Sequence, residues 1–249
     1  MEFHPVPCLF DASGVFETCR VRKGRVLHSE EHLRRLSASL KTVGIFSWDL
    51  REVRRRLQEG ARGMREGYVR VAVRRCGRPQ ILVHRQPGLP YSSRLFKTGV
   101  SVRTSALREP GGDPAFGQVK ISERAGSVMA RAETRGEVFE LLRMGRDGTL
   151  TEGTVSNFFL IRGGVLMTPP GWLGVLGGVT QERILAIARR LKIPVQVVPV
   201  TRHELFNAQE AFLTNVLMKI LPIREVDGRR IGPPLPGPVT RRLMKSLSA

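Results

Sequence analysis

The chain has 249 residues, of which 41% are hydrophobic and 25% are charged. That composition is typical of a globular protein with one or two domains and excludes a chain dominated by low-complexity sequence. No apolar run reaches the roughly 18 residues that a membrane helix needs, and we expect no signal peptide at the N-terminus. Three widely spaced cysteines form no CxxC pair. This argues against a disulfide framework or a metal site and favours a reducing, cytoplasmic environment.

The net charge is +19, from 41 lysine and arginine residues against 22 aspartate and glutamate residues. Such an excess would allow phosphate contacts with a nucleic acid. Nearly all of it is arginine, since the chain has only seven lysines, and the arginines are spread along the sequence without interleaved aromatic residues. We therefore interpret the charge as a solvated surface and expect no specific nucleic-acid partner and no membrane partner.

The first third of the chain predicts a small α/β domain, from the alternation of its strands and the three- and four-residue spacing of apolar positions in its helices. Its predicted elements are a hairpin of residues 15–21 and 25–27, helices from about residue 30 and over 49–61, and strands 68–74 and 80–84. Residues 87–97, with Pro87, Gly88 and Pro90 and little periodicity, predict an interdomain linker. The small N-terminal domain is therefore assigned to residues 1–86.

The remaining residues, 98–249, predict a larger C-terminal α/β domain that is rich in strands. Glycine turns separate several short apolar runs, as in a β-meander. The predicted strands are 100–104, 138–144, 157–162, 165–168, 195–200 and 211–215, and the predicted helices are 123–135, 180–191 and 239–247.

Lys120 stands between Val119 and Ile121, at the end of an irregular stretch and just before a predicted helix. Apolar neighbours disfavour the charged ammonium group, and a lysine that forms a Schiff base must react as the neutral amine. On its own this pattern is more often that of a lysine whose amine extends to solvent.

Two further motifs follow. Thr151-Glu152-Gly153 contains a carboxylate. If the chain binds a cofactor with a pyridine ring, that carboxylate could lie beside the ring nitrogen and keep the nitrogen protonated. The alternative is a turn glutamate that faces water. Gly177-Gly178-Val179-Thr180 leads directly into a predicted helix, whose free N–H groups would bind a phosphate. The alternative there is an ordinary threonine N-cap after a flexible loop.

In this order, the motifs resemble the fold-type IV pyridoxal-phosphate enzymes, which include branched-chain and D-amino-acid aminotransferases and aminodeoxychorismate lyases. The resemblance runs from Gly14 to about Gly232. It also rests on segment 14–21, on the HxxRL motif of residues 32–36, and on segments 212–215 and 221–223.

The resemblance implies a two-domain α/β fold, pyridoxal 5'-phosphate as cofactor, amino-acid and keto-acid substrates, and a homodimer. It implies that Lys120 carries the cofactor as a Schiff base and that Glu152 contacts the ring nitrogen. The implied cofactor-binding residues are Arg35, Lys120, Glu152, Asn157, Leu176, Val179, Thr180, Asn215 and Val216. Arg20 and Arg75 are candidates for binding the substrate carboxylate, because a guanidinium pairs bidentately with a carboxylate.

We predict an aminotransferase that moves an amino group between an amino acid and a 2-keto acid. The alternative is an aminodeoxychorismate lyase that releases pyruvate. Segment 16–18 resembles the transaminases, whereas segment 215–217 and Arg124 resemble the lyases. A third alternative, of another class, is a basic nucleic-acid-binding protein or a relative without cofactor.

Overall fold

The computed structural model describes residues 14–76, 78–108, 117–121, 138–232 and 235–248. The predicted helix 123–135, with Arg124, lies outside the described residues, as does the side chain of Arg75. The chain divides into two compact units. The first contains the described residues up to Pro90 together with 119–121, and the second contains the other described residues.

The first unit is a four-stranded antiparallel sheet with two helices. Apolar side chains of β1 and β3 on one face pack with leucines of α1 and α2 in a single core cluster. Asp49 accepts a hydrogen bond from Arg51 N and caps the second helix. The strand order is β2-β1-β3-β4, and the elements are β1 (Val15–Arg22), β2 (Arg25–Val26), α1 (Ser29–Thr42), α2 (Leu50–Ala61), β3 (Glu66–Cys76) and β4 (Arg78–Pro87).

A short segment from later in the chain completes this unit. Phe16 N donates a hydrogen bond to Lys120 O at 2.9 Å, Val15 bridges to Ile121, and Val119 is buried in the core cluster. Lys120 therefore packs with the N-terminal unit, although its sequence position lies within the predicted C-terminal domain. The predicted domain boundaries and linker stay predictions.

The second unit is built on a nine-stranded sheet of mixed direction. Its order is β10-β9-β8-β11-β12-β5-β6-β7, with β13 paired to β12. The pairs β9–β10, β5–β12 and β5–β6 are parallel. The elements are α3 (Leu95–Thr98), β5 (Val100–Arg108), β6 (Glu140–Met144), β7 (Leu150–Gly153), β8 (Asn157–Arg162), β9 (Val165–Thr168), a 3-10 turn (Gly171–Leu173), α4 (Val179–Arg190), β10 (Val195–Val197), α5 (Arg202–Phe206), β11 (Glu210–Asn215), β12 (Lys219–Val226), β13 (Arg229–Arg230) and α6 (Pro238–Ser248).

The central strands of this sheet are buried on both faces. Phe158 and Leu160 of β8 belong to one core cluster, whereas Phe159 and Ile161 belong to another. Successive residues of a strand point to opposite faces, so a strand covered on both sides is apolar along its whole length. Among the described helices, none is both long enough and apolar enough to span a bilayer.

Candidate active site

Glu152, near the end of β7, is a buried carboxylate that accepts hydrogen bonds from three donors among the described residues. Oε1 accepts from Arg143 Nη2 at 2.6 Å. Oε2 accepts from Asn157 Nδ2 and from Leu176 N, both at 3.1 Å. The residue is only 2% exposed, so it does not face water. An ionised carboxylate is thus fixed in orientation inside the second unit.

A second buried carboxylate, Glu140, organises the turn that follows Glu152. It accepts from the backbone N–H and hydroxyl of Thr154, from Val155 N and from the hydroxyl of Ser156. A Cβ at Gly153 would overlap the Ser156 hydroxyl and approach the Glu140 carboxylate. The glycine of the Thr-Glu-Gly motif is therefore required by packing, and sequence reasoning missed the role of Glu140.

The start of α4 lies against the same network. Gly178 is the N-cap, and its N–H donates a hydrogen bond to Gln181 Oε1 at 3.2 Å. A Cβ at Gly178 would overlap Asn157 Oδ1. Asn157 donates to Leu176 O at 2.8 Å as well as to Glu152. One amide side chain therefore links the carboxylate to the segment that leads into α4.

The neighbouring site candidates are also buried. Leu176, Val179 and Thr180 are each less than 10% exposed. Thr214, the β11 partner of Asn157, is fully buried, and its hydroxyl makes no hydrogen bond to any described atom. Buried hydroxyls are normally satisfied, so an unsatisfied one beside this network is consistent with a polar ligand.

Asn215 supports the backbone at the end of β11. Its Oδ1 accepts from Leu217 N and Met218 N at 2.9 Å, and its Nδ2 donates to Val155 O at 3.2 Å. Val216 is half-buried in the same turn. The structure thus shows a turn-forming role for Asn215, and the cofactor roles of both residues stay predictions.

In the first unit, Arg35 is bound by a buried carboxylate. Arg35 Nε and Nη2 donate to the two oxygens of Glu17 at 2.6 and 2.7 Å. His32 Nδ1 lies 2.8 Å from Glu17 Oε2. Because an ionised carboxylate only accepts hydrogen bonds, His32 Nδ1 is the donor. The guanidinium of Arg35 is thereby oriented from one side.

The electrostatics of this cluster favour the ionised form of Glu17. Burial alone would raise the pKa of Glu17, but the Arg35 charge and the hydrogen bonds from His32 and Arg35 together lower it to about 2. Burial, together with the nearby Glu17 charge, raises the pKa of the Cys19 thiol well above its usual value. Cys19 is therefore a neutral, inert thiol in the folded chain.

Lys120 shares an aromatic ring with a second cation. Lys120 Nζ lies 4.7 Å from the centroid of the Phe16 ring, and Arg70 Cζ lies 5.0 Å from the same centroid. Arg70 Nε donates to Thr18 Oγ1 at 3.3 Å. Sequence reasoning missed Arg70. The antiparallel pairing of β1 with β3 places it opposite Thr18, on the face of β1 that also carries Phe16.

The structure describes the side chain of only one of the two arginines that the sequence proposed for the substrate carboxylate. Arg20 is largely buried and is ion-paired with Glu66. The side chain of Arg75 lies outside the described residues. Neither role is established, and Arg70 is a further candidate because its guanidinium lies on the same ring as the Lys120 amine.

Comparison with known proteins defines the class of this chain. The class IV aminotransferase family model matches residues 14–226. A protein of Methanocaldococcus jannaschii, provisionally named branched-chain-amino-acid aminotransferase, is 30% identical over 250 residues, covering 94% of this chain and 86% of its own length.

Solved structures of the same class are similar to this chain. The T.th. branched-chain amino acid aminotransferase complexed with N-(5'-phosphopyridoxyl)-L-glutamate gives a TM-score of 0.85 at 26% identity, covering 96% of this chain and 84% of that one. The 4-amino-4-deoxychorismate lyase from Pseudomonas aeruginosa gives a TM-score of 0.85 at 27% identity, covering 95% and 90%.

The chain therefore belongs to the class IV aminotransferase family. The predictions of this family, of a two-domain α/β fold and of a transaminase as the class of enzyme are confirmed. The roles of individual site residues stay predictions.

Proposed function

We propose that the chain is a pyridoxal-phosphate-dependent aminotransferase that exchanges an amino group between an amino acid and a 2-keto acid. The observation that carries this proposal is the buried Glu152 carboxylate, held by Arg143, Asn157 and Leu176 N next to the N-terminus of α4. A fixed negative charge beside a helix N-terminus fits a ligand with a protonated ring nitrogen and a phosphate.

The residues present fit this cofactor. Glu152 would accept the proton of the ring nitrogen, and the first-turn N–H groups of α4, which have no intrahelical partners, would bind the phosphate with Thr180. The unsatisfied hydroxyl of Thr214 offers a further donor beside them. When bound, the cofactor supplies an electron sink that lowers the cost of removing the substrate Cα proton.

A lysine and an arginine complete the proposed set of cofactor-binding residues. Lys120 would hold the cofactor and, once released, transfer the Cα proton as base and acid. Arg35, oriented by Glu17, would contribute a guanidinium to the phosphate. The solved relative with a phosphopyridoxyl derivative of glutamate supports this choice of cofactor.

For the substrate, we infer a branched-chain amino acid, because the relative named for that substrate is 30% identical over 94% of this chain, whereas a D-alanine aminotransferase with the same coverage is 26% identical. Arg70 is our candidate for a substrate carboxylate. Its guanidinium lies on the Phe16 ring that the Lys120 amine also contacts, and the geometry of a guanidinium matches that of a carboxylate. We also infer that the protein is cytoplasmic and forms a homodimer. Light scattering would measure the mass of the dimer.

The test is a half-reaction with the purified protein and its cofactor. An amino acid alone should change the visible absorbance of the bound cofactor, and a 2-keto acid should restore it, because a transaminase stores the amino group between its two half-reactions. L-Leucine, L-isoleucine and L-valine should act faster than D-alanine. Failure of every amino acid in the panel would contradict the proposal.

The second candidate is the lyase reaction, favoured by the similarity to the aminodeoxychorismate lyase structure. A lyase eliminates pyruvate and has no need to store an amino group. Release of pyruvate from aminodeoxychorismate, by a protein whose absorbance no amino acid changes, would establish the lyase and exclude the transaminase.

A further inference from the structure

Arg143 is a buried cation that no sequence motif assigned to the site. It lies on β6, and its side chain is 9% exposed. Nη2 donates to Glu152 Oε1 at 2.6 Å, a separation typical of a strong, charge-assisted hydrogen bond. The partner is the carboxylate proposed to face the cofactor ring nitrogen. Arg143 would therefore act on that nitrogen through its hydrogen bond to Glu152.

The ion pair between Arg143 and Glu152 balances the charge of a buried carboxylate. A buried carboxylate without a counter-charge is strongly destabilising, and the guanidinium of Arg143 supplies that counter-charge to Glu152. Asn157 and Leu176 N engage the other oxygen. A protonated ring nitrogen therefore meets a carboxylate whose negative charge is already shared with a guanidinium.

We propose that Arg143 is a positioning residue that holds Glu152 and limits how strongly it attracts the protonated ring nitrogen of the cofactor. The inference rests on the proposed function, in which Glu152 faces that nitrogen. An adjacent positive charge disfavours a second one, so the ring-nitrogen proton is bound less tightly than it would be by Glu152 alone. The chain should therefore discriminate only weakly between pyridoxal phosphate and an analogue that lacks the ring nitrogen.

The experiment measures binding to the apoprotein rather than activity. The dissociation constants of pyridoxal phosphate and of its 1-deaza analogue, in which CH replaces the ring nitrogen, are measured by fluorescence titration. Arg143→Gln keeps a hydrogen-bond donor and removes the charge. It should raise the preference for pyridoxal phosphate about tenfold, which corresponds to about 1.4 kcal/mol. Arg143→Lys keeps the charge and should stay near the wild-type preference.

Glu152→Gln separates the outcomes. This variant should prefer pyridoxal phosphate over the 1-deaza analogue less strongly than wild type does, because a neutral amide does not retain the ring-nitrogen proton. If wild type binds no pyridoxal phosphate, the proposed function fails. If Glu152→Gln leaves the preference unchanged, Glu152 does not face the nitrogen and the present inference falls with that assignment. If Glu152→Gln lowers the preference while Arg143→Gln does not raise it, only the inference about Arg143 is overturned.

A second measurement covers a variant that folds poorly. If Arg143→Gln needs a ligand to fold, thermal unfolding is followed with each cofactor at equal concentration, since at equal concentration the ligand with the lower Kd stabilises the folded state more. Greater protection by pyridoxal phosphate than by the analogue, beyond the wild-type difference, is expected. Equal protection by the two would refute the proposal.

Discussion

Gly178 is required by close packing and not by its backbone conformation, which has an ordinary negative φ of −74°. A methyl group there would overlap Asn157 Oδ1, and Asn157 would have to leave Glu152 and Leu176 O. We expect Gly178→Ala to cost about 1–3 kcal/mol of unfolding free energy and to weaken pyridoxal-phosphate binding at least several-fold, measured by urea unfolding and titration.

Gly177 supplies the matched control one residue away. Among the atoms of the described residues, the one that a Cβ there would meet is Glu182 Oε1, at the ordinary contact distance of 3.9 Å. Gly177→Ala should therefore behave like wild type in both measurements. Equal losses in the two variants would show that loop flexibility, and not the contact with Asn157, accounts for the glycines.

Glu17 should make the stability of the protein dependent on pH in the acid range. Its pKa in the folded chain, about 2, lies below the ordinary value of 4.5, so the unfolded chain binds more protons between these values. The stabilisation is complete above about pH 4.5 and is lost as the pH falls toward 2, and it amounts to roughly 3 kcal/mol. Urea unfolding of wild type and Glu17→Gln should differ most above pH 4.5 and converge below it.

The control is a carboxylate of the same kind at the surface. Glu59 pairs with Arg55 but is 41% exposed, and exposed ion pairs contribute little to stability. Glu59→Gln should follow the wild-type pH profile. A Glu17→Gln variant that parallels wild type down to pH 2 would contradict the buried ion pair.

At the same scale, the sequence predicted the residues of linear motifs and missed those that come from neighbouring strands. Glu152 and Asn157 stand in one motif, so their proximity follows from chain order. Arg143 reaches Glu152 from β6, and Arg70 reaches the Phe16 ring from β3. Such contacts depend on strand register, which the sequence of one chain does not specify.

Among the elements, the C-terminal helix has a buried carboxylate at its N-terminus. Glu210 of β11 accepts hydrogen bonds from Val239 N and Thr240 N at 2.9 and 2.8 Å, at the start of α6. A negative charge at a helix N-terminus is stabilising, and it satisfies N–H groups that lack intrahelical partners. Glu210→Ala should cost roughly 1–3 kcal/mol of unfolding free energy.

Glu210→Gln is the informative companion, because it keeps an acceptor oxygen and removes the charge. We expect it to lose less stability than Glu210→Ala in urea unfolding. An alanine variant as stable as wild type would mean that apolar packing alone holds α6.

The elements that sequence patterns predicted are those with strong periodicity or long apolar runs. Both N-terminal helices and strands β8, β9 and β11 were found within a few residues of their observed bounds. Strand β7 is absent from the predicted strands because Thr151-Glu152-Gly153 is polar. Strand β12 was missed because Pro222 interrupts it. Its pairing with β5 begins only at Ile223, so the missing N–H of Pro222 lies outside that ladder.

For the whole molecule, part of the basic charge is already compensated at the surface. Arg54, Arg55 and Arg56 of α2 form ion pairs with nearby glutamates. We expect only weak DNA binding that falls steeply with salt and shows no sequence preference. Fluorescence anisotropy with two unrelated duplexes, at low and at physiological salt, would measure this. A tight, selective complex at physiological salt would revive the nucleic-acid alternative.

The buried thiol of Cys19 makes β1 a natural reporter of local opening. Alkylating reagents react with thiolates, and Cys19 lies in the core of the first unit with its ionisation suppressed. Its modification therefore requires β1 to separate from the core around it. With Cys8 and Cys76 replaced by serine, the labelling rate followed by mass spectrometry would give the frequency of that opening without any introduced probe.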